Sequence, residues 1–78
     1  MAKIYARALR DVAKELDSAL RKFNKMNSAH EGYAVILEEV IELRAEVFKK
    51  QRKRKPAKMQ REAIQIAAKA IRFVMDCT

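Results

Sequence analysis

Seventy-eight residues suffice for one small domain, and a chain of this size hides only about 60% of the surface its unfolded form exposes, which leaves a thin core. Eighteen Lys and Arg against ten Asp and Glu give a formal charge of +8, which points to an anionic partner such as nucleic acid, nucleotide or lipid headgroup without choosing among them. One Gly, one Pro and no Trp beside plentiful Ala, Leu, Glu, Lys and Arg favour helices over strands, and Cys77 as the single cysteine excludes an intrachain disulfide and a cysteine-built zinc site.

The N-terminus, Met1-Ala-Lys-Ile-Tyr-Ala-Arg, is charged too often to hold a signal-peptide core, and no apolar run approaches the roughly 18 residues of a membrane span. A cytoplasmic protein that contacts no membrane is the expectation. From Ala2 to about Met26 there is neither Gly nor Pro, and Ile4, Ala8, Val12, Leu16, Ala19, Leu20 and Phe23 recur every three or four residues, predicting a first amphipathic helix over about 2–26. Asn24, Asn27 and Ser28 interrupt the pattern. Ser28 followed three residues later by Glu31 matches a capping box, so a second helix is expected over about 29–50. Its stripe of Tyr33, Ile36, Leu37, Val40, Ile41, Leu43, Val47 and Phe48 is wide enough for two neighbours, which marks it as the central helix.

The run Lys49-Lys50-Gln51-Arg52-Lys53-Arg54-Lys55 has six basic residues in seven, and its mutual repulsion argues for a frayed helix end and an exposed loop. Pro56 suits the first turn of a helix, where its missing amide hydrogen costs nothing. Met59, Ala63, Ile66, Ala67, Ala70, Ile71, Val74 and Met75 then repeat at helical spacing, predicting a third helix over about 56–77. The fold expected is all-α: one domain over 1–78, whose three-helix unit joins a second copy, or another partner, in a helical-bundle homo-oligomer.

At about 100° per residue, Glu31, Glu38, Glu39, Glu42 and Glu46 fall within one quadrant of helix two, opposite its main apolar face. Like charges three and four residues apart destabilise a helix by a few tenths of a kcal/mol per pair, so something should offset their repulsion. Two readings fit: a face that is solvated or paired with basic residues, or a site for a hard divalent cation, which prefers carboxylate oxygens. On helix three, Glu62, Gln65, Lys69, Arg72 and Asp76 share one face. If that face meets the acidic stripe, Glu62 joins the cation shell while Lys69 and Arg72 reach phosphate oxygens. Otherwise Lys69 and Arg72 neutralise the stripe or pair with Asp76. Gly32 marks either a close helix approach or a frayed first turn, His30 suits a surface or capping role, and Arg44 either snorkels or pairs with an acid such as Asp76.

These acids resemble the pattern of the MazG-like, all-α nucleoside triphosphate pyrophosphohydrolases, Glu-Glu-x-x-Glu on one helix and Glu-x-x-Asp on the next. Glu38, Glu39 and Glu42 match the first half. Glu62 stands at the Glu of the second half, with Gln65 at its Asp position. From His30 to Asp76, through HEGYAVILEEVIEL and EAIQIAAKAIRFVMD, 47 of the 78 residues look similar to small proteins of this type from bacteriophages. The resemblance implies a dimer or tetramer in which Glu38, Glu39, Glu42 and Glu62, and Gln65 through its amide oxygen, hold Mg²⁺ against a nucleotide's phosphates. Glu38, Glu39 and Glu42 are then the catalytic acids, and water attack releases pyrophosphate. Lys69 and Arg72, with Lys53 and Arg54 of the basic loop, are the candidate substrate-binding residues. Gln65 brings no charge, so a further reading is a degenerate relative that binds nucleotides, or a partner protein, without cleaving anything. The alternative from another class is a non-catalytic basic module that grips nucleic acid through the loop at 49–55, or binds nucleotide or a partner protein.

Overall fold

The first helix is shorter than its periodicity predicts, and the cause is tertiary. The computed structural model describes residues 3–78, so the expected start at residue 2 lies outside the described residues; α1 spans Ala6–Lys22. Phe23 turns extended just past it, although its N–H still reaches the Ala19 carbonyl at 2.9 Å. Beyond that point the backbone has better partners elsewhere. The Asn24 carbonyl accepts from Arg72 Nη2 at 2.8 Å, and the Met26 N–H donates to Asp76 Oδ2 at 3.0 Å. Two charge-assisted bonds to the far end of the chain replace the helical ones that Asn24 and Asn27 make poorly.

Ser28 caps α2 (Ala29–Val47) as its sequence predicts, its Oγ accepting from the Glu31 N–H at 3.0 Å. The return arm is displaced by one residue: Glu31 Oε2 accepts from the Asn27 N–H, at 3.3 Å. The helix ends at Val47 rather than near residue 50. A short 3₁₀ turn (Gln51–Lys53) follows, and Pro56 opens α3 (Pro56–Cys77) at its first position. The protein is therefore all-helical, and there is no strand among the described residues.

α3, rather than α2, is the central element. It packs against both other helices, which do not pack on each other. α2 and α3 form an antiparallel hairpin, and α1 runs beside α3 in the same direction, so the molecule is thin, 40 × 36 × 20 Å. The reason lies in which face of α2 turns inward. Gly32, Glu39 and Glu46, seven residues apart and hence two turns apart, form the line buried against α3. Tyr33, Leu37, Val40, Ile41, Val47 and Phe48 face away and remain exposed. Periodicity located the apolar stripe correctly, but the hairpin seam runs along the polar one.

Gly32 is where the two helices come closest. A Cβ there would sit 2.7 Å from Phe73 Cδ2 and 3.1 Å from Met26 Sδ, so only glycine admits this approach. At the other end of the seam Glu46, 1% exposed, is the largest fully buried side chain. It accepts from Lys49 Nζ and from the Lys55 N–H, both at 2.9 Å, with Lys58 Nζ at 3.9 Å. These contacts hold the carboxyl of Glu46 below the usual range, the Lys49 bond foremost and the Lys55 amide next. One acid thus organises the basic connection, whose residues are otherwise exposed. Arg44 stacks on the exposed Phe48 ring at 5.0 Å and leaves Asp76 to the Met26 amide. Among the described residues the buried apolar side chains are only Ala19, Met26 and Ala68. No helix among the described residues is long and apolar enough to cross a membrane.

Candidate functional site

The polar face of α3 is a direct product of spacing: Glu62, Gln65, Lys69 and Arg72 are three or four residues apart and so stack along one side. All four line a cleft of about 360 Å³ on which α1 and α2 also border. α2 contributes Glu39 and Glu42; α1 contributes Glu15, Ser18 and Lys22; Phe23 and Arg61 complete the polar and aromatic lining. Four carboxylates and four bases meet in one concavity.

Three of those carboxylates converge. Glu39, Glu42 and Glu62 each offer an oxygen, and these oxygens lie within 4.8 Å of one another. Glu62 is 7% exposed, and its Oε2 has no hydrogen-bond partner. A buried carboxylate oxygen without a donor is costly to leave so, and it faces two further acids. The neighbouring Glu39 is the main reason that the Glu62 carboxyl is pushed up to about 7; burial and then Glu42 push in the same direction. Burial also acts to raise Glu39, but the hydrogen bond and charge of Lys69, with the bonds to Glu62 and Glu42, outweigh it and leave Glu39 lowered. Lys69 Nζ stands 2.6 Å from Glu39 Oε1.

The basic side of the cleft holds a second unmatched group. Arg72 is 5% exposed, yet its one side-chain bond is to the Asn24 carbonyl, its Nε is unpartnered, and no carboxylate lies within 4.0 Å among the described ion pairs. Its guanidinium lies 5.9 Å from the centre of the Phe23 ring. A buried cation lacking a counter-ion is as expensive as a buried lone acid, and an anionic ligand would satisfy it.

The structure brings together Glu39, Glu42 and Glu62 of the predicted acids. Glu38 points to solvent and is not part of the group. Gln65 lines the cleft, where its Nε2 donates to Glu15 Oε1 at 2.7 Å. Lys69 and Arg72 lie in the cleft as their spacing suggested. Lys53 and Arg54 do not; they sit exposed on the connection between α2 and α3. Glu39 and Glu46 are paired with lysines in the seam, so at these two acids the pairing with basic residues is what the structure shows, with Lys69 neutralising Glu39 as one reading expected. Sequence reasoning passed over Glu15, Lys22 and Arg61. Glu15 and Lys22 are seven residues apart with Ser18 between them, a polar line on α1 that could have flagged a second seam.

The donor set fits a hard divalent cation: three carboxylates from two helices, one oxygen of which lacks any partner, with the Gln65 amide nearby. Comparison with protein-family models, with curated proteins and with solved structures gives no match to the chain. The functional reading therefore rests on this geometry and on the motif resemblance.

Proposed function

We propose that the cleft binds a divalent cation, Mg²⁺ by its chemistry, together with the phosphates of a nucleoside triphosphate, and hydrolyses that nucleotide to its monophosphate and pyrophosphate. The observation that carries this reading is the pairing of opposites in one concavity, a buried acid, Glu62, whose Oε2 has no partner, and a buried base, Arg72, whose Nε has none. Glu39, Glu42 and Glu62 hold the cation. When bound, it supplies neutralisation of phosphate charge and activation of water. Arg72 and Lys69, with Lys22 and Arg61, bind and orient phosphate oxygens, as charge-assisted donors do. Attack of water at the α-phosphorus forms the new P–O bond and breaks the bridge to the β-phosphate, and a cleft carboxylate takes the proton. Glu15 holds the Gln65 amide nitrogen, which leaves the amide oxygen as the free end of that side chain.

The exposed apolar stripe of α2 adds a partner to this reading. Tyr33, Leu37, Val40, Ile41, Val47 and Phe48 form a contiguous surface of the kind that marks a protein interface, and a second copy of the chain would cover it in a bundle. A cytoplasmic setting agrees with a Mg²⁺-nucleotide substrate. A second reading is favoured by one observation, the exposed Lys50, Arg52, Lys53 and Arg54 ordered above Glu46: binding of a nucleic-acid backbone without chemistry.

Pyrophosphate release from a panel of nucleoside triphosphates in Mg²⁺ or Mn²⁺ tests the enzymatic reading. Release that Glu42→Gln abolishes supports it. No release, with no calorimetric heat of cation binding, overturns it. Retention on DNA at low salt that Lys53→Ser and Arg54→Ser weaken together would instead favour the second reading.

A further inference from the structure

Resting on the nucleotide reading above, a neighbouring cleft has a form that the phosphates do not use. It measures about 350 Å³ and adjoins the acidic cleft along a common wall made of Phe23, Lys69 and Arg72. That size is at the lower end of small-molecule sites, roughly 300–1,000 Å³. Its character differs from that of the first cleft. Val35, the edge of the largely buried Met26 and Phe23, 62% exposed, supply apolar surface, the exposed Asn24 and Asn27 border it, and Lys25 and Glu31 complete the lining. We infer that this second cleft seats the nucleoside of the substrate, with the base against Phe23, its edge toward Asn24 and Asn27, and the phosphates passing over Arg72 into the acidic cleft.

Three observations converge on this. Arg72 is buried in the wall common to both clefts with its Nε unpartnered, so an anion bound there has the cluster of acids on one side and, on the other, a cleft with Phe23, Val35 and two asparagines and a single acid, Glu31. A phosphate chain joined to an uncharged aromatic head suits such a division. An aromatic ring left exposed at the mouth of a small cleft, next to a guanidinium that already packs on it, is a stacking surface for a planar base. Asparagine amides carry both a donor and an acceptor, which lets them pair with a base edge that presents both. The segment that holds Asn24 and Met26 is itself tied to α3 by Arg72 and Asp76, so the seat is preformed rather than a loose loop.

The test measures calorimetric affinities with two probes in Mg²⁺: inorganic tripolyphosphate, and nucleoside triphosphates of the four bases with a non-hydrolysable α,β bridge. Phe23→Ala is expected to weaken nucleotide binding about 5- to 100-fold, the range of one base–aromatic stack, and tripolyphosphate binding far less, since Phe23 also borders the acidic cleft; Asn27→Ala, at a residue of the second cleft alone, leaves tripolyphosphate binding unchanged. Phe23→Tyr should retain nucleotide binding, and Asn27→Ala should alter the ranking of the four bases. Because Phe23 is exposed, its truncation should leave the thermal midpoint unchanged, and this is checked alongside. Nucleotide binding that is unaffected by Phe23→Ala, or a parallel loss of tripolyphosphate binding, overturns the nucleoside seat while the phosphate site stands. Failure of the unaltered protein to bind tripolyphosphate overturns the nucleotide reading itself and the seat with it.

Discussion

Replacing Glu62 with Gln should stabilise the metal-free protein and at the same time remove its response to Mg²⁺. Glu62 is buried against Glu39 and Glu42, and its carboxyl is raised from 4.5 to about 7. The folded chain therefore binds this proton more tightly than the unfolded chain. Below about pH 4.5 the group is protonated in both states and contributes no penalty; as the pH rises toward 7 stability falls, and above 7 the whole penalty is present. At 1.36 kcal/mol per pH unit the ceiling is about 3 kcal/mol, and the open cleft screens this to about 1–2 kcal/mol. The amide of Gln keeps the shape, removes the charge and donates to Glu39. Urea denaturation at pH 8 and pH 4, with chelator and at fixed protein concentration, should show Glu62→Gln ahead by that amount at pH 8 and level at pH 4. In a chain of this length each kcal/mol corresponds to about 4–8 °C in thermal midpoint. Mg²⁺ should then raise the midpoint of the native sequence at pH 8 and leave that of the variant in place. A variant no more stable than the native protein at pH 8, or a gain that persists at pH 4, would refute the account of crowded carboxylates.

Gly32→Ala should destabilise the protein although alanine is the better helix former by about 1 kcal/mol, because the added Cβ meets the Phe73 ring at 2.7 Å. Overpacking of this kind typically costs about 1–3 kcal/mol, so a net loss near 1 kcal/mol in chemical denaturation is the expected outcome, and a gain would contradict the close approach. Glu46→Gln should loosen the connection between α2 and α3, read as faster tryptic cleavage between residues 49 and 55; since Glu46 is held low, its stabilising effect is present above the unfolded value and fades as pH falls through the folded one. If a second copy covers the exposed stripe of α2 as proposed, light scattering should give the native sequence a mass above one chain, and Ile41→Glu should lower it while leaving the helical circular dichroism signal unchanged.

Much of the fold was legible because local chemistry set it. Ser28 with Glu31 and Pro56 at the head of α3 mark starts that depend on a few backbone groups and little else. The end of α1 was not legible, since it depends on Arg72 and Asp76, nearly 50 residues away, claiming the Asn24 carbonyl and the Met26 amide. The central helix was misread for a related reason. A wide apolar stripe is ordinarily the inward face, but on α2 the inward line is Gly32, Glu39 and Glu46; spacing offered Lys69 as a partner for these acids, while nothing local indicated that Lys58 and the Lys55 amide would meet Glu46. For the site, the face shared by Glu62, Gln65, Lys69 and Arg72 could be read from spacing alone. Glu15 left a fainter trace, the polar line it forms with Ser18 and Lys22, which resembles any solvated helix face until α1 is placed beside α3.

The α2–α3 hairpin is fastened at its two extremities and polar in the middle. At one extremity Gly32 lets Phe73 set the gap between the helices; at the other, Glu46 draws in Lys55 and Lys58. The acids at Glu39, Glu42 and Glu62 lie in the span between, Glu39 and Glu42 about 10 and about 15 Å from Gly32 along the axis of α2. Their separation is thus inherited from the two anchorages. A methyl group at residue 32, touching no acid, would pry the span apart and change how far the carboxylates must reach to share one ion.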